Sequence, residues 1–273
     1  MNLNQIKYKL KNISTVEKYI YMLVLVFFIT YLVETIKIAQ NNIQTNLVIN
    51  YFGLYADFKM FLLHFYSIFT YSFIHIRFFH LLFNLIVLYY IGNLFVDFFD
   101  DKQFQIYFIF GGIFGGIFFL LANYFFLNTT QNILIGASAS ITAILVGLAV
   151  KAPNYEINLR FIGHVKLWIL TIIWLAISFA SLSGTNSGGQ IAHLGGAFFG
   201  LIYTYLKLYS IPLKRKKNTL KTVYKKSDYG LTKHQKDRLH QQKVDYLLDK
   251  ISKSGYNSLT KAERDFLARA SKR

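Results

Sequence analysis

The sequence predicts an all-α membrane protein, a bundle of six transmembrane helices followed by a small helical tail. Three observations predict it. Of the 273 residues 54% are hydrophobic and 18% aromatic, which is too apolar for a water-soluble domain of ordinary composition. Six apolar stretches recur along the chain, at about 19–38, 80–99, 104–126, 138–151, 167–182 and 190–209. The charge is segregated: of the net +17, an excess of +13 lies from Lys207 onward, where 19 Lys/Arg face 6 Asp/Glu.

The elements follow in order. Residues 1–18 are polar and basic and read as a cytoplasmic N-terminal segment. The run 19–38 is long enough to span, is longer than a signal-peptide core and has no small-residue cleavage site after it, so it reads as a retained first helix. Segment 39–79 holds apolar pieces at 61–66 and 68–74, each too short to span, and fits an interfacial or re-entrant loop. The fourth and fifth stretches are short. A helix opening at Ser138 would begin part-way into the membrane, which is tolerated only where the preceding backbone lines a protein-walled, watery cavity.

Positive charges set the topology. Lys7, Lys9, Lys11 and Lys18 precede the first span, Lys102 lies between the second and third, and Lys151, Arg160 and Lys166 lie between the fourth and fifth. With the basic tail, these place both termini on the cytoplasmic side. The six-helix membrane domain is then 19–209, and the expected location is a bacterial cytoplasmic membrane. The tail, 210–273, is a soluble element near anionic headgroups. Val244, Leu247, Leu248 and Ile251 recur at helical spacing there, Gly255 marks a turn, and Thr260 with Glu263 is a capping box opening a second helix. The expectation is a helical hairpin.

Several function classes are excluded or disfavoured. With no cysteine there is no disulfide, thiol nucleophile or Cys-ligated metal. The basic tail carries no nucleic-acid recognition motif, so no nucleic-acid partner is expected. Paired GxxxG steps at Gly111, Gly112, Gly115 and Gly116 read as close helix packing, because no Lys-Ser/Thr follows to make a phosphate loop. His75 and His80 lack a carboxylate partner and the four-residue spacing of zinc proteases, so no metal or cofactor is expected. Asn128-Thr129-Thr130 is a formal glycosylation acceptor that matters only in a secretory pathway. His164, His234 and His240 fall in a loop and the solvated tail. The sequence sets no oligomeric state.

Ionisable and polar groups inside apolar spans each ask for a reason. A lone membrane serine or histidine is most often helix–helix glue; it is joint placement that changes this reading. Under the six-span topology, the ends of spans two, four and six that carry His80, Ser138 and His193 lie at one depth. His80 and Asn84 are four apart and share a helix face. Ser138 follows Gly136 at a helix start, where free N–H groups and the positive helix end favour a developing oxyanion. Ala139, Ala143 and Gly147 make a small-residue stripe, as do Gly196 and Gly200 one turn beyond His193. If the stripes face each other, Ser138 comes within reach of His193 as a general base. No Asp or Glu is placed to orient the histidine, so the arrangement is a dyad. Ser140 is a rival nucleophile, but it lies about 200° around the helix from Ser138.

The motifs HLLFN at 80–84, GASAS at 136–140 and AHLGGAFFG at 192–200, in this order, resemble those of the rhomboid intramembrane proteases, over about residues 15–210. The resemblance implies a six-helix rhomboid-like bundle in which Ser138 attacks the peptide bond and His193 is general base, then acid to the leaving amine. It further implies that His80, Asn84 and the backbone N–H of Ser138 stabilise the oxyanion, with His75 in a structural or water-organising role. Two positions depart from the family pattern. Ala139 stands where glycine is frequent, and Thr142 stands where an aromatic commonly stacks on the catalytic histidine; the sequence assigns neither Phe198 nor Phe199 to that role.

The implied function is a serine endopeptidase that cuts single-span membrane proteins in or near their transmembrane segments. The alternative is a catalytically inactive rhomboid-like protein that binds membrane clients, against which the retention of all four polar residues argues. A transporter is disfavoured by the lack of paired intramembrane charges and of half-membrane repeats.

Overall fold

A computed structural model describes residues 13–41, 47–127, 133–159, 163–184, 186–209 and 233–270. The chain forms two compact units, Ile13–Ile211 and a second that holds the tail helices.

In the first unit, α1 (Thr15–Asn41) begins before the apolar run, because Ser14 and Glu17 form a reciprocal capping box: the Ser14 N–H donates to Glu17 Oε2 at 2.8 Å and the Glu17 N–H to Ser14 Oγ at 3.1 Å. Much of one side of α1 is exposed, Leu25, Phe28, Ile29 and Leu32 among its residues, while Val16 and Leu23 are buried in the core. The 39–79 connection is more ordered than the loop expected of it. It holds α2 (Leu47–Phe52), β1 (Leu54–Tyr55), α3 (Phe58–Leu63), α4 (Ser67–Thr70) and a 3-10 turn, Tyr71–Phe73. Strand β1 pairs antiparallel with β2 (Ile133–Leu134) in the register Leu54↔Leu134. That short ladder holds the connection to the segment just before Ser138.

The remaining helices are α5 (Phe78–Phe98), α6 (Asp101–Ala122), α7 (Ser138–Lys151), α8 (Leu167–Ala180) and α9 (Ser187–Tyr209). A hairpin, β3 (Glu156–Leu159) with β4 (Gly163–Lys166), joins α7 to α8 where a plain loop was expected. Helices α1, α5, α6 and α9 belong to segments long and apolar enough to cross a membrane; α7 and α8 are apolar but shorter. The burial pattern shows why α7 sits at the centre. Every residue from 139 to 149 is buried, so α7 has no outward face, and α5, α6, α8 and α9 pack around it.

Small residues make this close packing possible. A Cβ added at Gly196 would collide with the carbonyl oxygen of Ala139, and one at Gly200 with that of Ala143. One at Gly111 would collide with the Cβ of Ala143, and one at Gly115 would lie 2.6 Å from that of Ala139. The small-residue stripes of α7 and α9 therefore do face each other, and α6 closes on the same alanines.

In the second unit, α10 (Lys233–Ser254) and α11 (Lys261–Ala270) form a hairpin whose turn passes through Gly255 at φ +77°. Leu247 and Leu259 are buried in it. The Thr260 N–H donates to Glu263 Oε2 at 2.7 Å, and Lys250 Nζ contacts the same carboxylate at 3.0 Å. These contacts, the Thr260 N–H first, hold the Glu263 carboxyl below the ordinary carboxylate range. Residues 1–12 and 210–232 and the acceptor Asn128-Thr129-Thr130 lie outside the described residues.

Candidate active site

A cavity of about 770 Å³ opens among α5, α7, α8 and α9, and its lining includes His80, Asn84, Ser138, Trp174 and His193. Four of these five are the residues singled out from the sequence. The fifth, Trp174, was not.

Ser138 is the first residue of α7, after Ala137 as cap. The first bond of the helical ladder runs from the Ile141 N–H to the Ala137 carbonyl at 3.0 Å, so the N–H groups of Ser138, Ala139 and Ser140 precede it. The backbone leading in is fixed at consecutive residues. The Gly136 N–H donates to the Tyr71 carbonyl at 2.9 Å, and the Ala137 N–H to His75 Nε2 at 3.3 Å. Tyr71 is itself fully buried, its hydroxyl donating to the Gly112 carbonyl at 2.6 Å. Gly136 has φ +111°, which side chains rarely adopt, and a Cβ there would lie 2.6 Å from His80 Cε1. Glycine thus both turns the chain toward Ser138 and leaves room for the His80 ring.

His75, fully buried, uses Nε2 as an acceptor for backbone, which requires that nitrogen to be unprotonated. The same bond occupies the lone pair a metal would need. Its ring centroid is 5.0 Å from that of His80. On α5, the Asn84 amide donates to the His80 carbonyl at 2.7 Å, which orients Asn84 and leaves its second N–H to offer elsewhere. Ser140, the rival nucleophile, is fully buried beside Gly112 and Ser72 and does not line the cavity.

His193 has two neighbours from α8. Ser178 Oγ lies 3.0 Å from His193 Nδ1, and the Trp174 ring lies 5.7 Å from the imidazole, tilted by 32°. Trp174 Nε1 donates to Thr142 Oγ1 at 3.0 Å, and that hydroxyl donates to the Ser138 carbonyl at 2.8 Å. Phe198 instead stacks on Phe114 and Phe199 on Phe110, both of α6. Sequence reasoning missed the α8 pair, although a signal was present: Thr171, Trp174 and Ser178 stand three and four apart, so they mark one face of an otherwise aliphatic and aromatic helix.

Chemically, the cavity offers a hydroxyl at a helix N-terminus, two imidazoles, the amides of Asn84 and Asn186, the Arg77 side chain and uncommitted backbone N–H groups, among apolar side chains. That is the equipment of acyl transfer: a nucleophile, a base and donors for an oxyanion.

A family model described as Rhomboid domain matches residues 63–210, more than half of the chain. A second model, described as a family of unknown function (DUF6576), matches residues 231–273, which contain the α10–α11 hairpin. No curated protein matches the chain.

Proposed function

The chain belongs to the rhomboid family and is an integral, multi-pass membrane protein, and from that premise we propose that it is an intramembrane serine endopeptidase working through a Ser138–His193 dyad. One observation carries the proposal: Ser138 at the start of the buried α7 and His193 on α9 line one cavity together with His80 and Asn84.

In the proposed reaction, His193 takes the Ser138 proton as the hydroxyl oxygen attacks the scissile carbonyl. The oxyanion forms at the N-terminus of α7, where it accepts from the Ser138 N–H and from the side chains of His80 and Asn84. His193 then gives its proton to the leaving amine, and a water, activated by the same imidazole, hydrolyses the acyl-enzyme. A helical peptide bond is shielded by its own hydrogen bonds, so the substrate segment must unwind before attack. The substrates proposed are single-span membrane proteins that can do so.

The topology proposed with this function has six spans with both termini cytoplasmic, α7 and α8 being the short ones. It follows the distribution of Lys and Arg over the loops, and it sets the basic tail beside anionic headgroups.

The test is cleavage of a model transmembrane substrate by purified protein, with labelling by a fluorophosphonate probe. Ser138→Ala and His193→Ala are expected to abolish both. Undiminished cleavage by Ser138→Ala would refute the assignment, and a wild type that binds a membrane client without cutting or labelling would favour the inactive, client-binding alternative.

A further inference from the structure

We propose that Ser178 and Trp174 of α8 are the positioning residues of His193, together replacing the aromatic residue absent at position 142. The inference rests on the dyad reading and concerns how its base is held.

A histidine that takes a proton at Nε2 must carry its own proton at Nδ1, and a group that accepts from Nδ1–H selects that tautomer. No Asp or Glu lines the cavity. Ser178 Oγ stands 3.0 Å from Nδ1, on a side chain that is only 3% exposed. In the dyad its hydroxyl oxygen accepts the Nδ1–H bond, which is compatible with the working tautomer and holds the ring against swinging about its own axis. When His193 becomes imidazolium, that bond becomes charge-assisted and stronger. Ser178 is neutral, so it orients the base without supplying a counter-charge.

Trp174 fixes the remaining freedom, the tilt of the imidazole. Its ring lies 5.7 Å from the imidazole at 32°. It cannot turn away freely, because its indole N–H is tied to Thr142 Oγ1 at 3.0 Å. The Thr142 hydroxyl spends its own proton on the Ser138 carbonyl at 2.8 Å, which leaves its oxygen as acceptor for the indole. Position 142 therefore keeps a part in supporting the base. The ring has moved to α8, and Thr142 anchors it to the first turn of the helix that carries the nucleophile. Ser138, Thr142, Trp174, His193 and Ser178 form one connected chain from nucleophile to base, and two of its members belong to α8.

The experiment measures kcat and KM for a model transmembrane substrate with full-length protein, checking each variant for a monodisperse peak and wild-type unfolding temperature in detergent. Ser178→Ala is expected to lower kcat about 10–30-fold, the worth of one hydrogen bond lost from a polar group, with KM within about twofold of wild type. Ser178→Thr, which keeps the hydroxyl, is expected to recover most of the loss. Trp174→Leu is expected to lower kcat about 10-fold. Trp174→Phe and Thr142→Val each remove only the tether, and their double variant should lose no more than either alone. Wild-type kcat in Ser178→Ala, or equal losses in Ser178→Ala and Ser178→Thr, would overturn the role of Ser178. Additive losses in the tether pair would overturn the role of Thr142. Ser138→Ala is run beside them: if it still cleaves, the dyad reading itself has failed, whereas if it is dead while Ser178→Ala and Trp174→Leu are fully active, this inference alone has failed.

Discussion

Gly196→Ala is the most informative single perturbation of the fold, because it adds one methyl where two helices touch backbone to backbone. The added Cβ would overlap the Ala139 carbonyl and come within 3.3 Å of Ala139 Cα. Neither is the tip of a flexible side chain that could turn aside. To restore an ordinary contact, α7 and α9 must part by on the order of 1 Å. Overpacking of this kind costs about 1–3 kcal/mol. The consequence for chemistry is larger than for stability, since Ala139 follows Ser138 and Gly196 lies one turn from His193. A misplacement of about 1 Å between reacting groups can cost roughly 100-fold in rate. The expected result is an unfolding temperature lowered by a few degrees in detergent and cleavage lowered about 100-fold, with the protein still monodisperse. Gly200→Ala meets the Ala143 carbonyl in the same way one turn further from Ser138, so it should lose similar stability and less activity. Wild-type cleavage and unfolding temperature in Gly196→Ala would refute the claim that this backbone contact sets the spacing of the dyad.

Three further outcomes are expected. Gly136→Ala must hold φ +111° with a Cβ 2.6 Å from His80 Cε1, so it should lose about 1–2 kcal/mol to backbone strain and most of its activity, read by unfolding and cleavage. His80→Ala and Asn84→Ala should each lower kcat by roughly 10–1000-fold, as for lost oxyanion donors, with little change in KM; a wild-type rate in the double variant would remove both from the mechanism. In the tail, the Glu263 carboxyl is held below its ordinary range, so its contribution to the α10–α11 hairpin is full above the ordinary carboxylate range and is lost as pH falls through the lowered value. Protection against hydrogen exchange at the start of α11, taken relative to the intrinsic amide rate at each pH, should therefore fall on acidification in wild type, and be lowered already at neutral pH in Glu263→Gln.

What the sequence made legible was local. The helices, the capping box at Thr260 and the small-residue stripes all depend on spacings of three and four, which can be read directly. The grouping of His80, Asn84, Ser138 and His193 was also legible, through charge-derived topology and a family resemblance. What was not legible depends on long-range pairing. The Leu54↔Leu134 ladder joins two-residue strands 80 positions apart, too short to carry a periodicity. The capping box at Ser14 and Glu17 was readable but passed over, which misplaced the start of α1. Thr142 marked a gap in the support of His193 without saying what fills it. The answer lies on α8, and nothing in the spacing of 142, 174 and 193 relates them until the helices are packed.

In the proposed six-span topology, helix length accounts for the depth of the polar groups. At 1.5 Å per residue the 14 residues of α7 reach about 21 Å, against a hydrocarbon thickness of about 30 Å. Its last residue, Lys151, is exposed and charged and belongs at the aqueous edge. In that proposed topology, with Lys151 there, Ser138 would lie on the order of 10 Å beneath the opposite surface. The backbone before it cannot meet lipid, because its N–H groups would go unsatisfied. The structure meets this demand with Tyr71 and His75, which take the Gly136 and Ala137 N–H groups, and leaves the next N–H groups uncommitted beside the Ser138 hydroxyl. In that topology a short central helix places the free donors of its N-terminus below the surface, and the ordered 47–77 connection supplies the acceptors, Tyr71 and His75, for the backbone just before them. Inserting helix-forming residues at the N-terminus of α7 would pair those N–H groups with the new carbonyls and move the free donors away from the Ser138 hydroxyl, and is therefore expected to remove cleavage of a model transmembrane substrate.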